Sequence, residues 1–116
     1  MDRAPGTVTI APEVLVTIAK LTTQDVEGVH EMSPAWTREV NRFFGHVEVG
    51  DGVQIKVEDT EVTVDLYIIV DHDVNMLRLG RKLQSEVTRA IEEMVGMDVR
   101  GVNVHIDDVH YAPEEG

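Results

Sequence analysis

Two alternating apolar runs, separated by three residues, constrain the fold of this chain more than any other feature. Residues 53–58 and residues 62–70 each place a valine, leucine or isoleucine at every second position. This is the period of a half-buried β-strand. Because the connection Asp59-Thr60-Glu61 is so short, the two runs must pair through a tight turn. The sequence therefore predicts an antiparallel β-hairpin.

Two segments with helical spacing flank this hairpin. Pro12 suits the first turn of a helix, and the apolar residues after it predict a helix that ends at about Thr23. Asn75 is a good N-cap. The apolar period that follows continues to Gly96, a residue that commonly ends a helix.

Shorter runs predict the remaining strands. Residues 7–10 alternate β-branched side chains, residues 26–29 indicate a turn or strand entry at Gly28, and residues 102–107 alternate again. The predicted order is β-α-β-β-β-α-β. The predicted fold class is α+β, a two-layer sandwich with two helices packed on one face of a small mixed β-sheet. Residues 1–116 are expected to form one domain, with an irregular segment at 33–50 and a short acidic tail at 112–116.

The charge balance argues against several classes of function, non-specific binding of nucleic acid and direct binding of an anionic membrane among them. The chain has 10 Lys and Arg against 22 Asp and Glu, a formal net charge of −12. Such a chain lacks the basic field that nucleic acid or an anionic membrane surface requires. Without cysteine it has no disulfide, no thiolate nucleophile and no cysteine-type metal site. No apolar stretch is long enough to span a membrane, and the first ten residues lack the apolar run of a signal peptide.

Four segments, in order, carry a family resemblance. They read VTIAPEV at 8–14, VEGV at 26–29, VTVDLY through DVN at 62–75, and EEMVG through VNVHIDD at 92–108. In these segments the chain resembles the bacterial alkaline shock, or general stress, protein family, also called envelope stress response proteins. The resemblance implies a small cytoplasmic protein of stress response or envelope homeostasis, and not an enzyme. Some members of that family are held near the membrane by a separate anchor protein, and the family has no established catalytic residues to carry over.

The second predicted helix concentrates positive charge. It holds four of the ten basic residues: Arg78, Arg81, Lys82 and Arg89. The first three lie in its first two turns, where the helix dipole disfavours cations. One explanation is neutralisation by Asp71, Asp73 or acids of the hairpin. The i,i+4 pairs Lys82–Glu86 and Arg89–Glu93 would contribute to it. The other explanation is a basic strip that binds an acidic partner or an anion.

Two further surfaces are candidates for a partner contact. The first is the sheet face away from the helices, where the polar residues are Lys56, Asp65, Tyr67, Asn103 and His105. Tyr67 and His105 suit recognition or self-association, although a solvated sheet face alternates in the same way. The second is the irregular segment, where Trp36, Phe43 and Phe44 either close one end of the core or contact a partner.

Histidines and carboxylates are the candidate metal ligands of a chain without cysteine. His105 and Asp107 share a strand face at about 7 Å, but no third ligand accompanies them. The adjacent residues Asp71, His72 and Asp73 cannot converge on one ion while the chain is extended. We therefore expect no metal and no cofactor. No serine elbow, phosphate loop or dinucleotide fingerprint occurs either.

The sequence thus predicts a non-enzymatic bacterial stress-response or envelope-homeostasis protein that acts through protein–protein contacts. The expected partner is a protein, with a membrane-anchored one and self-association both left open, without nucleic acid or direct membrane insertion. The expected location is the cytoplasm, next to the membrane only through a partner. A small RNA-associated module and a histidine-containing metal-binding regulator remain the alternatives.

Overall fold

The computed structural model describes residues 5–34 and 46–112, apart from the side chains of His46 and Glu48. In chain order the elements are α1 (Pro12–Gln24), β1 (Val29–Met32), β2 (His46–Gly50), β3 (Val53–Glu58), β4 (Glu61–Asp71), α2 (Met76–Val95) and β5 (Asp98–His110).

Strand β4 is the centre of the sheet. It pairs in parallel with β5 along its whole length. Its opposite edge pairs antiparallel with β3 over the first half and with β1 over the second. The two neighbours meet at Tyr67, whose N–H donates to the Gly52 carbonyl and whose carbonyl accepts from the Ser33 N–H, both at 2.8 Å. Strand β2 pairs with the outer edge of β3. The sheet is therefore mixed.

The predicted hairpin is confirmed, with Ile55 opposite Val64 and Glu58 opposite Glu61. Both helices are confirmed as well. Helix α1 starts at Pro12. In α2 the Asn75 side chain accepts a hydrogen bond from the Arg78 N–H at 2.9 Å, and Gly96 ends the helix at φ 82°. Local signals were enough for these elements because caps, turns and periodicity act over a few residues.

The two helices cover one face of the sheet, so the predicted α+β class is confirmed. The core lies between the layers. Its buried apolar side chains come from α1, α2, the facing side of the strands and the turn after α1: Leu15, Val16, Ile18, Ala19, Val26, Val53, Ile55, Val62, Val64, Leu66, Ile68, Val70, Leu79, Leu83, Val87, Ile91 and Val102.

The predicted order of elements is wrong at the N-terminus. Residues 7–10 form no strand, and Val8 is 91% exposed. The segment has strand-forming residues, but no strand of the described part of the chain pairs with it. Conversely, the last five residues of the predicted irregular segment form β2, which the sequence analysis missed. The order is therefore α-β-β-β-β-α-β.

Candidate functional site

Helix α2 exposes its basic residues together. Arg78, Arg81, Lys82 and Arg89 are exposed, opposite the buried residues Leu79, Leu83, Val87 and Ile91 that hold the helix on the sheet. We call these four basic residues the basic strip. Its position follows from the period of the helix, because the residues that bind the core leave the remaining face to solvent.

Most of the predicted neutralisation is wrong. Within residues 5–34 and 46–112, no ion pair involves Arg78, Arg81 or Lys82. Asp71 instead lies 3.4 Å from His30, measured from Oδ1 to Nδ1. Arg89 pairs with Glu86, three residues before it, at 3.1 Å, and not with Glu93. Within the described ranges, these three cations of a strongly acidic chain therefore have no carboxylate partner.

Two shallow hollows lie beside the basic strip. One of about 670 Å³ lies between α1 and α2, where Lys82 shares the wall with Asp25 and Leu21. Another of about 180 Å³ has Arg78 and Glu27 in its wall. Asp25 and Glu27 thus border the basic strip without an ion pair to it among the described residues, whereas Glu86 pairs with Arg89.

The sheet face away from the helices carries the predicted polar set of Lys56, Asp65, Tyr67, Asn103 and His105. Asp65 organises this face. Its Oδ1 lies 2.9 Å from Nε2 of His105 and accepts a hydrogen bond from Nδ2 of Asn103 at 3.2 Å. Tyr67 stacks on His105 with ring centroids 4.4 Å apart. The face is therefore an ordered polar network.

A second cluster on the sheet escaped the sequence analysis. The rings of His30 and His110 stack with centroids 3.7 Å apart and an interplanar angle of 8°, beside Asp71. His72 and Tyr111 stack at 5.1 Å nearby. His30 and His110 are 80 positions apart in the sequence, so only the pairing of β1 and β5 with β4 could have indicated this cluster.

The geometry does not assemble a metal centre from the described residues, since no three or more His, Asp or Glu side chains converge there. Asp107 is the extra residue of a β-bulge in β5, between the partners Ile106 and Asp108. The regular spacing predicted between His105 and Asp107 is therefore wrong, and His105 contacts Asp65 instead.

Three predicted partner residues, Trp36, Phe43 and Phe44, lie outside the described residues, so their role stays a prediction. In the part of the chain that is described, no helix combines the length and the hydropathy needed to cross a bilayer.

The fold and the site define a small two-layer α+β domain with a basic helix face, on which Arg78, Arg81 and Lys82 have no ion pair among the described residues, and a polar sheet face. The chain belongs to the alkaline shock protein 23 family, described as having a cell envelope-related function, whose profile matches residues 1–111. The resemblance to the alkaline shock family is thus confirmed.

Similar proteins span most of the chain. It is 30% identical to the uncharacterized protein YqhY of Bacillus subtilis (strain 168) over 110 residues, which cover 95% of this chain and 82% of YqhY. It is 26% identical to a stress response regulator gls24 homolog of Streptococcus pyogenes serotype M3 over 105 residues, which cover 90% of this chain but 59% of that protein. No solved structure matches.

Proposed function

We propose that this chain is a non-enzymatic bacterial stress-response protein that serves cell-envelope homeostasis by binding an acidic protein surface through the basic strip. One observation carries the proposal: Arg78, Arg81 and Lys82 have no ion-pair partner among residues 5–34 and 46–112, although the chain has a net charge of −12. Exposed cations that stabilise nothing within their own fold are suited to steer and orient a partner of opposite charge.

The family supports the broader part of this proposal. Its members are described by a cell envelope-related function, and a relative is named a stress response regulator. A cytoplasmic protein can serve the envelope through a membrane-anchored partner, so we place the acidic surface on such a protein.

The test compares two variants of equal charge in a pull-down from the native bacterial membrane fraction. The first is Arg78→Gln/Arg81→Gln/Lys82→Gln. The matched control is Lys20→Gln/Lys56→Gln/Arg100→Gln, which also removes three positive charges. Those three residues already have carboxylate partners within the chain, at 3.1 Å for Lys20, 4.0 Å for Lys56 and 3.3 Å for Arg100.

We expect the wild type and the control to recover the same membrane-anchored protein and the strip variant to lose it. The captured complex should weaken with salt, because exposed charge pairs are screened over about 8 Å at physiological ionic strength. Equal recovery by both variants would contradict the basic strip. RNA that survives in the complex in place of a protein would favour the alternative of an RNA-associated module.

A further inference from the structure

Among residues 5–34 and 46–112, no strand pairs with the outer edge of β5. In a parallel pair, alternate residues of a strand bond its neighbour and the others direct their backbone groups outward. The carbonyl of Val102 accepts a hydrogen bond from Nε2 of Gln84 at 3.1 Å, so Val102 is an outward residue. Val104 and Ile106 share its alternation. They face β4 on one side, and no strand of the described residues lies on their outer side. Bulges at Arg100 and beyond Ile106 bound this regular stretch.

An apolar hollow lies beside that edge. Its volume is about 480 Å³, and we call it the β5 groove. Its walls come from α2 and β5: Met76, Leu77, Gly80, Arg81, Gln84, Val104 and Ile106. A Cβ atom at Gly80 would meet nothing within 4 Å, so the wall is open there. Leu77 is 72% exposed. A free strand edge beside exposed apolar side chains is suited to receive one more strand.

The chain also holds a strand-forming segment without a partner. Residues 7–10, which we call the N-terminal arm, read Thr-Val-Thr-Ile, and β-branched residues favour strands. Val8 is 91% and Ile10 39% exposed. In an extended arm both side chains point to one face, at the same spacing of two residues as Val104 and Ile106.

The arm is poorly placed to reach its own β5 groove. Only Ala11 separates it from α1. That helix contacts β1, β2 and β3, whereas α2 contacts β5 and also packs against α1. Helix α2, about 10 Å wide, therefore separates α1, from which the arm extends, from the β5 edge. The four residues of the arm extend over about 14 Å at most. A second copy of the chain meets no such obstacle.

Charge complementarity also favours the N-terminal arm of a second copy as the strand that binds the β5 groove. Arg81 lines the β5 groove and has no ion pair in the described part of the chain. Glu13 lies three residues after Ile10 and also has none there. A docked arm brings this carboxylate toward a cation at the wall of the groove.

We propose that the N-terminal arm of one copy adds as a strand to the β5 edge of a second copy. Val8 and Ile10 enter the β5 groove, and Glu13 approaches Arg81. This inference goes beyond the proposed function and does not depend on the acidic partner. Reciprocal exchange closes a dimer, and exchange in one direction extends a chain of copies. The contact of a four-residue strand is small, so assembly should require high protein concentration.

The first test is the mass of the full chain by sedimentation velocity over a range of concentrations. We expect assembly of the wild type to weaken by about tenfold or more in Val8→Asn/Ile10→Asn, and equally in Gly80→Leu, which fills the groove. Neither change should lower the melting temperature, because the arm is exposed and Gly80 has free space. Met94→Gln removes a 71% exposed apolar side chain elsewhere and should assemble as the wild type does. A wild type that stays monomeric, or an arm variant that still assembles, would overturn the proposal.

The second test separates the two halves of the contact. A labelled peptide of residues 5–13 should bind the arm variant, whose β5 groove is intact, and should not bind the same variant that also carries Gly80→Leu. Glu13→Arg and Arg81→Glu should each weaken assembly, and the double variant should restore part of it. Failure of the peptide to bind the arm variant would contradict the β5 groove as its site, whatever the outcome of the membrane pull-down.

Discussion

The imidazole of His105 lies nearly parallel to the phenol ring of Tyr67, with centroids 4.4 Å apart and 11° between the planes. The two residues are register partners across the parallel pair β4 and β5. Asp65 is 2.9 Å from the same imidazole. His105 is therefore oriented by two residues of β4, and its side chain is part of the polar network of the sheet.

We predict that zinc does not bind at His105. The measurement is the melting temperature with near-stoichiometric zinc and with chelator. A site would raise stability by about 2.7 kcal/mol at a free metal concentration one hundred times its dissociation constant. We expect no shift in the melting temperature, because the described residues bring no third ligand to His105 and Asp65.

The matched variant is His105→Ala. A zinc-dependent rise in melting temperature that disappears in this variant would establish a metal site and restore the alternative of a metal-binding regulator. The variant also removes the stacking on Tyr67, so its melting temperature without metal serves as the reference.

The basic strip should be dispensable for stability. Replacement of Arg78, Arg81 and Lys82 by Gln should leave the melting temperature unchanged or slightly higher, since no ion pair is lost in the described structure and cations are unfavourable near a helix N-terminus. Thermal and urea unfolding both measure this. A loss of several kcal/mol would reveal structural ion pairs and remove the basis of the proposed function.

Gly52 should tolerate no side chain. It joins β2 to β3 at φ 81°, and an added Cβ would lie 2.8 Å from the Ser33 carbonyl oxygen and 2.9 Å from that of Tyr67. We expect Gly52→Ala to lower the free energy of unfolding by about 2 kcal/mol or more, measured by urea denaturation. Gly101→Ala is the control, because its Cβ would meet nothing within 4 Å.

Truncation of two leucines of α2 to alanine should lower the free energy of unfolding by very different amounts. Leu83 is completely buried and Leu77 is 72% exposed. Leu83→Ala should cost about 2–5 kcal/mol of unfolding free energy, whereas Leu77→Ala should change it by about 0.5 kcal/mol or less. Similar losses in both variants would mean that the β5 groove is closed in the free protein.

Local signals in the sequence predicted the hairpin and both helices to within a residue or two. Non-local pairing could not be predicted in the same way. The N-terminal arm has the composition of a strand, but composition does not tell whether an edge is available. Likewise, Val14 and Leu21 recur at helical spacing in α1, yet they are 43% and 57% exposed, because spacing alone does not tell how far the core extends around a helix.

The basic strip was predictable as a set of exposed residues, because the core period of α2 defines the opposite face. The absence of ion pairs at Arg78, Arg81 and Lys82 among the described residues was not predictable, since pairing depends on side-chain positions. The His30–His110 stack was also inaccessible, because it requires the register of three strands at once.

The central position of β4 has a consequence for synthesis of the protein on the ribosome. The hairpin of β3 and β4 can form as soon as Asp71 has left the exit tunnel. The other edge of β4 pairs with β5, and β5 begins only at Asp98. During that interval the nascent chain presents an apolar strand with one bare edge, the kind of surface that chaperones capture. Maturation should thus wait for β5, and a ribosome stalled within α2 should hold an aggregation-prone intermediate.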